Sequence, residues 1–99
     1  MIKGTTPTFT LTVADADLTE AVNVYVTFKQ GDILISKSGD DITVAEHTIN
    51  VYLTQEETLK FRSGKLQVQV NMTYENGGRA CTEIATVEVG NNLVESVLV

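Results

Sequence analysis

Few residues of this chain could do chemistry, and none has the spacing that a known reaction needs. His47 is the single histidine and Cys81 the single cysteine. A nucleophilic thiol needs a base and an electropositive setting, and the nearest basic residue to Cys81 is Arg79, two positions away on the same strand face. No serine or cysteine motif accompanies His47, which would be an isolated titrating group. The sequence therefore predicts a protein that is not an enzyme, with no catalytic residue.

The acidic residues raise the question of a metal site, because several of them fall in loops. Asp15, Asp17, Asp32 and the pair Asp40–Asp41 all lie in segments that break the strand patterns. Calcium takes several converging loop oxygens, but aspartate also favours turns because its side chain bonds nearby backbone amides. We expect the turn role, and hence no metal and no cofactor. Calcium in one loop stays an open alternative.

The charge balance excludes two classes of partner. The net charge is −6, and the seven Lys and Arg residues are scattered along the chain. Nucleic acid binds proteins through clustered Lys and Arg, with release of counterions, so nucleic acid and anionic membrane are not expected partners.

No apolar run is long enough to span a bilayer. The N-terminus MIKGTTPT has no signal-peptide h-region, and one cysteine forms no internal disulfide, so a reducing cytoplasm is the expected location.

The elements that would position these residues are strands. Apolar and polar residues alternate with a period of two, which is typical of half-buried strands. About seven such segments occur at short intervals: 8–13, 21–30, 33–37, 42–44, 48–54, 65–74 and 79–89. This pattern predicts one all-β domain over residues 1–99, a sandwich or barrel.

The predicted core follows from the strand phases. The inward side chains would be Phe9, Leu11, Val13, Val22, Val24, Val26, Phe28, Ile49, Val51, Leu53, Leu66, Val68, Val70, Met72 and Tyr74. In the last strand both Ile84 and the set Ala85, Val87 and Val89 point inward. A bulge near Ile84–Ala85 would reconcile the two phases.

Three turns connect the strands in recognisable ways. Gly31-Asp32 predicts a two-residue hairpin turn, and Asn76-Gly77 predicts a second hairpin with positive φ angles at both residues. Thr54 and Glu57 match a capping box, which predicts one short helical turn near residues 55–61. Glu57 would be explained by this capping role alone.

The segment 91–99 is the feature that local structure does not explain. If the segment were left in solvent, it would expose a cluster of apolar side chains to water. These are Leu93, Val94, Val97, Leu98 and Val99. The segment could cap its own sandwich, which is the reading we favour. Alternatively it could add a strand to a neighbouring subunit.

Several stretches carry a resemblance to a known group of proteins. They are Met1 to Thr8 (MIKGTTPT), Leu53 to Phe61 (LTQEETLKF), and the QVQV run followed by an ENGG turn. These resemble small proteins encoded by phages and prophages of Gram-positive bacteria, similar to the N-terminal immunoglobulin-like domain of baseplate and tail proteins. The resemblance implies an immunoglobulin-like antiparallel β-sandwich with a structural, non-enzymatic role.

The functional expectation is a structural or assembly protein of a phage or prophage particle, of tail or baseplate type. It would contact other protein subunits through its edge strands and segment 91–99, and a homo-oligomer is plausible. It would be found in the host cytoplasm during assembly, with the virion as a further location. One alternative is a carbohydrate- or cell-surface-binding module using the outward Tyr25 and Tyr52. A second is a small phage protein that modulates the host.

Overall fold

The computed structural model describes residues 1–14 and 16–99 and consists mainly of two antiparallel sheets. The first sheet has three strands in the order β1 (Thr8–Thr12), β5 (Thr48–Tyr52) and β4 (Ile42–Val44). The second has the order β3 (Ile33–Ser38), β2 (Asn23–Gln30) and β6 (Gly64–Thr73). The far side of β6 pairs with two short strands in turn, β7 (Arg79–Cys81) and β8 (Ala85–Val89).

This strand order is that of an immunoglobulin-like sandwich. Such domains place strands A, B, E and D in one sheet and C, F and G in the other, with C′ added beside C in the variable type. Here β1, β5 and β4 occupy the places of B, E and D. The second sheet reads C′, C, F and G, with β7 and β8 together forming G. The predicted immunoglobulin-like all-β sandwich is confirmed.

The core lies between the two sheets and contains most of the residues predicted from the alternation. The rings of Phe9 in the first sheet and Phe28 in the second lie 5.6 Å apart between centroids, a separation typical of favourable aromatic pairs. The buried apolar side chains are Leu18, Val24, Val26, Phe28, Ile49, Val51, Leu53, Phe61, Leu66, Val68, Val70, Met72 and Val89. Val22, Ile84 and Ala85 were predicted to point inward and are exposed. Val22 precedes the first residue of β2, so the strand phase does not extend to it.

The predicted helical turn is the helix α1 (Gln55–Leu59), between β5 and β6. Its capping box is complete: the Glu57 amide donates to Thr54 Oγ1 over 3.2 Å, and the Thr54 amide donates to Glu57 Oε1 over 2.9 Å. Two 3₁₀ turns, Leu18–Glu20 and Gly39–Asp41, lie in other connections.

The predicted bulge separates β7 from β8. Cys81 pairs with Asn71 and Ala85 pairs with Val68, so three residues of the last strand, 82–84, lie opposite two residues of β6, 69–70. Two residues of one strand opposing one of its partner define a bulge. The extra residue turns Ile84 outward, which explains why its predicted burial was wrong.

The hairpins form where they were predicted. Gly31 has a φ of 58°, and no residue other than glycine has positive φ among those described, so this turn follows the type II′ pattern. In the second hairpin Gly77 has positive φ and Asn76 does not, contrary to the prediction. Tyr74 and Gly78 close a three-residue loop there, and such loops need one left-handed residue after a type I turn.

Candidate functional site

The first sheet ends in an open edge at β1. The Leu53 amide donates to the Pro7 carbonyl over 3.1 Å, and the Val13 amide donates to the His47 carbonyl over 2.7 Å. Hydrogen-bonded and non-hydrogen-bonded pairs alternate in an antiparallel ladder. Every second residue of β1 therefore directs its amide and carbonyl away from β5: Thr8, Thr10 and Thr12. We call this free side of Thr8–Thr12 the β1 edge.

The β1 edge is open because the residues before it pair elsewhere. In an immunoglobulin-like sandwich, strand A belongs to the sheet that contains B. Here Ile2 forms a parallel bridge with Gly90, at the end of β8 in the other sheet. The Lys3 amide donates to the Gly90 carbonyl over 3.0 Å, and the Gly90 amide donates to the Met1 carbonyl over 2.7 Å. The start of the chain is thus held against the second sheet and leaves β1 without a neighbour on that side.

The inward side chains of β1 are only half-buried. Phe9 and Leu11 pack against the core but remain partly accessible. Ile49 and Val51, their partners on the central strand β5, are fully buried. The difference arises because no strand covers the outer flank of β1. A strand added there would bury more of both side chains.

The other sheet edges are each protected against pairing with another chain. The edge strand β4 has three residues, and very short edges are poor templates. The edge formed by β7 and β8 is interrupted by its bulge, which is another known protection. The edge strand β3 points a charged side chain, Lys37, towards the interior. By contrast β1, with the sequence TFTLT, has no charge, bulge or proline.

Lys37 forms a half-buried ion pair with the capping glutamate of α1. Its Nζ lies 2.7 Å from the Glu57 carboxylate, and the two side chains are 12% and 19% exposed. Burial alone would raise the pKa of Glu57. The hydrogen bonds from Lys37 and Thr54, together with the charge of Lys37, outweigh burial and hold the pKa of Glu57 below its usual value. Glu57 thus joins β3 to α1 in addition to capping the helix.

The segment 91–99, which we call the C-terminal segment, forms no strand in the structure and lies across the end of the sandwich near α1. Asn92 Nδ2 donates to the Lys3 carbonyl over 3.0 Å. Gln55 binds the backbone of Leu98 twice, accepting from its amide over 2.8 Å and donating to its carbonyl over 3.0 Å. Its predicted interaction residues are all exposed: Leu93, Val94, Val97, Leu98 and Val99. It therefore covers its own sandwich through polar contacts while its apolar side chains face outward.

The two outward tyrosines do not form one surface. Tyr25 lies on β2 in the second sheet and Tyr52 on β5 in the first, with exposures of 37% and 48%. Their rings are therefore on opposite outer faces of the sandwich. Beside Tyr25 is a shallow polar depression of about 280 Å³, where Asn71 accepts from Arg79. A pair of aromatic platforms side by side, which sugar binding would favour, is not present at these two residues.

The residues considered for chemistry lie apart. His47 is exposed and shares its Nδ1 with the carbonyls of Ala16, at 2.8 Å, and Val13, at 3.3 Å. Cys81 is exposed on β7. Asp17 caps the 3₁₀ turn through the Thr19 amide, while Asp15 lies outside the described residues. Within residues 1–14 and 16–99, no group of three or more potential metal ligands comes together.

Two features of this surface were not predicted from the sequence. The Lys37–Glu57 pair joins residues 20 positions apart, and the capping role had already accounted for Glu57. The open β1 edge depends on the pairing of Ile2 with Gly90, which lies 88 positions further along the chain.

Comparison with protein-family models, with curated proteins and with solved structures finds no match to this chain. No helix in the described part of the chain has the length and apolar character needed to cross a membrane.

Proposed function

We propose that this chain is a non-enzymatic structural or assembly module of a phage or prophage particle, of tail or baseplate type, and that it acts through protein–protein contacts. The observation that carries the proposal is the unprotected β1 edge. An edge strand with no charge, bulge or proline is a template for pairing with another chain. Proteins use such edges to bind extended segments through main-chain hydrogen bonds.

Two further observations support the contact role. The C-terminal segment exposes five large apolar side chains, a concentration that marks interaction surfaces. The resemblance of the N-terminal, LTQEETLKF and QVQV–ENGG stretches to phage and prophage proteins supports the particle as the setting. The net charge of −6 favours partners with basic or apolar patches.

The test is a pair of substitutions at Thr10 in the strain that encodes the protein. Thr10→Pro removes an amide that faces the open side and leaves the ladder with β5 intact, a position where edge strands tolerate proline. Thr10→Val is the matched control, because both variants lose the 2.7 Å bond from Thr10 Oγ1 to Asn50. Particles would be induced, purified on a density gradient and analysed by quantitative mass spectrometry.

We expect the unmodified chain and Thr10→Val to copurify with particles at a fixed ratio to the other particle proteins, and Thr10→Pro to be depleted. Absence of the unmodified chain from particles would overturn the particle setting. Equal incorporation of a folded Thr10→Pro variant would show that the β1 edge is not the contact.

A further inference from the structure

We propose that the β1 edge is filled by the C-terminal segment of a second copy of this chain, which adds as an extra strand to the first sheet. This inference rests on the contact role proposed above for the β1 edge and names its occupant. The edge has unpaired main-chain groups, and the segment has exposed apolar side chains.

The chemistry of the two surfaces is complementary. The β1 edge offers three outward amides and three outward carbonyls over five residues. The C-terminal segment, LVESVLV over 93–99, is rich in valine and leucine, of which valine strongly favours strands. The backbone of the segment makes few hydrogen bonds in the structure. Its partners in them are the side chains of Gln55 and Asn92. These bonds can be exchanged for strand pairing without breaking either sheet.

The charges also permit contact between two copies of an acidic protein. The strand β1 contains no charged residue, and residues 93–99 contain one, Glu95. A strand with Val94, Ser96 and Leu98 facing inward would cover Phe9 and Leu11 and leave Glu95 in solvent, because alternate residues face opposite sides. Like charges would then not meet at the contact.

The position of the chain's own segment argues for a second copy. Gln55 of α1 binds the backbone of Leu98, and the Lys3 carbonyl accepts from Asn92. The segment thus lies against its own sandwich near α1 and does not pair with β1, whose only strand partner in the described part of the chain is β5. The β1 edge is therefore free for a segment that arrives from another copy.

The experiment measures molar mass by light scattering behind size exclusion, on the full chain and on substitutions in each surface. Val94→Lys places a charge at a position that faces inward in the proposed strand. Val97→Lys is its matched control, because Val97 faces outward there and the two valines are 45% and 46% exposed in the structure. Thr10→Pro and Thr10→Val form the second matched pair, in the edge. Circular dichroism establishes that each variant is folded.

We expect the full chain to show at least twice its 10.8 kDa mass at micromolar concentration. Val94→Lys and Thr10→Pro should each weaken association at least about tenfold, because burying an unpaired charge or losing main-chain bonds is costly. The two controls should keep it. Mixing Val94→Lys with Thr10→Pro should restore a 1:1 complex, since one supplies an intact edge and the other an intact segment.

A full chain that stays monomeric at all concentrations would overturn the proposal. The proposal would also be overturned if Val97→Lys weakened association as much as Val94→Lys does. The same holds if folded Val94→Lys and folded Thr10→Pro failed to form a complex when mixed. If the chain is monomeric but Thr10→Pro still removes it from particles, the β1 edge binds a different protein, and the proposed function stands without this inference.

Discussion

The carboxylate of Glu57 has two roles that can be separated by substitution. It accepts from the Thr54 amide as part of the capping box and from Lys37 of β3 in an ion pair. Removing one partner of a buried pair leaves the other charge uncompensated. Both roles depend on one residue at the corner between β5 and β6, so this corner couples the helix to the opposite sheet.

We expect Glu57→Gln to lower the free energy of unfolding by about 1 kcal/mol, since glutamine can still close a capping box but cannot neutralise Lys37. Glu57→Ala should cost about 2 kcal/mol because the Thr54 amide loses its acceptor as well. Urea denaturation measures both. Equal costs for the two variants would mean that the ion pair, and not the cap, supplies the stabilisation.

The lowered pKa of Glu57 gives a pH dependence with a defined sign. A carboxyl whose folded pKa lies below its unfolded value of about 4.3 stabilises the protein above that pH, and the contribution is lost as the pH falls through the folded pKa. We expect the urea midpoint of the unmodified chain to fall on acidification below about pH 5. Glu57→Gln should show a shallower fall, and parallel curves would contradict the assignment.

His47 should titrate above its usual value. Its hydrogen bond to the Ala16 carbonyl is the main cause, with further contributions from the Val13 carbonyl and from Glu46 and Asp17, against opposing desolvation, and together these raise the pKa of His47. The stabilisation by the protonated ring is therefore complete below about pH 6.5 and is lost as the pH rises through the raised pKa. An NMR titration of the single imidazole measures this pKa directly; a midpoint at or below about 6.5 would be inconsistent with the contacts described.

At the scale of elements, the bulge between β7 and β8 is stabilised by one hydroxyl group. The Thr82 amide donates to the Val70 carbonyl over 2.9 Å, and Thr82 Oγ1 accepts from the Val70 amide over 3.1 Å. The side chain thus replaces the carbonyl that the extra residue displaces from the ladder. The Thr82 carbonyl in turn accepts from Gln69 Nε2 over 2.8 Å.

We expect Thr82→Val to cost about 1–2 kcal/mol of unfolding free energy, because the amide of the buried Val70 loses its acceptor. Thr82→Ser keeps the hydroxyl and should cost less than about 0.5 kcal/mol. Chemical denaturation of the two variants, with hydrogen exchange of the Val70 amide, measures the effect. Unchanged protection of that amide in Thr82→Val would show that the hydroxyl is not its acceptor.

The elements were largely predictable from the sequence, and their long-range partners were not. Alternation located β2 and β6, and Thr54 with Glu57 located α1, because these signals lie within a few residues of each other. The bulge was predicted from a conflict of phase near Ile84, since a period of two cannot hold on both sides of an extra residue. The β1 edge was missed because it depends on a bridge between the two ends of the chain.

At the scale of the whole molecule, the C-terminal segment adds little to the core. The last buried apolar residue is Val89, and the segment contributes a few hydrogen bonds and one ion pair, Lys3–Glu95, whose glutamate is 62% exposed. A pair with one solvent-exposed partner is worth about 1 kcal/mol or less. The segment is thus available for contacts at small cost to the fold.

We expect a chain ended at Gly90 to fold with a loss of about 1 kcal/mol or less, and to be monomeric if the segment is the added strand. Thermal unfolding and light scattering of this shortened chain are the measurements. Its Gly90 keeps both hydrogen bonds to the residues at the start of the chain. Collapse of the fold on shortening would show instead that the segment is structural.

The pairing of Met1–Lys3 with the end of β8 also determines how the domain bears mechanical load. The bridge between Ile2 and Gly90 is parallel, so a pull applied to the two ends of the chain draws Met1–Lys3 and the end of β8 past each other along their length. The hydrogen bonds that join Met1 and Lys3 to Glu88 and Gly90 are then loaded together in shear. Bonds loaded together in shear have to break at the same time, so this short contact would resist separation of the first residues from β8 when the domain is under tension.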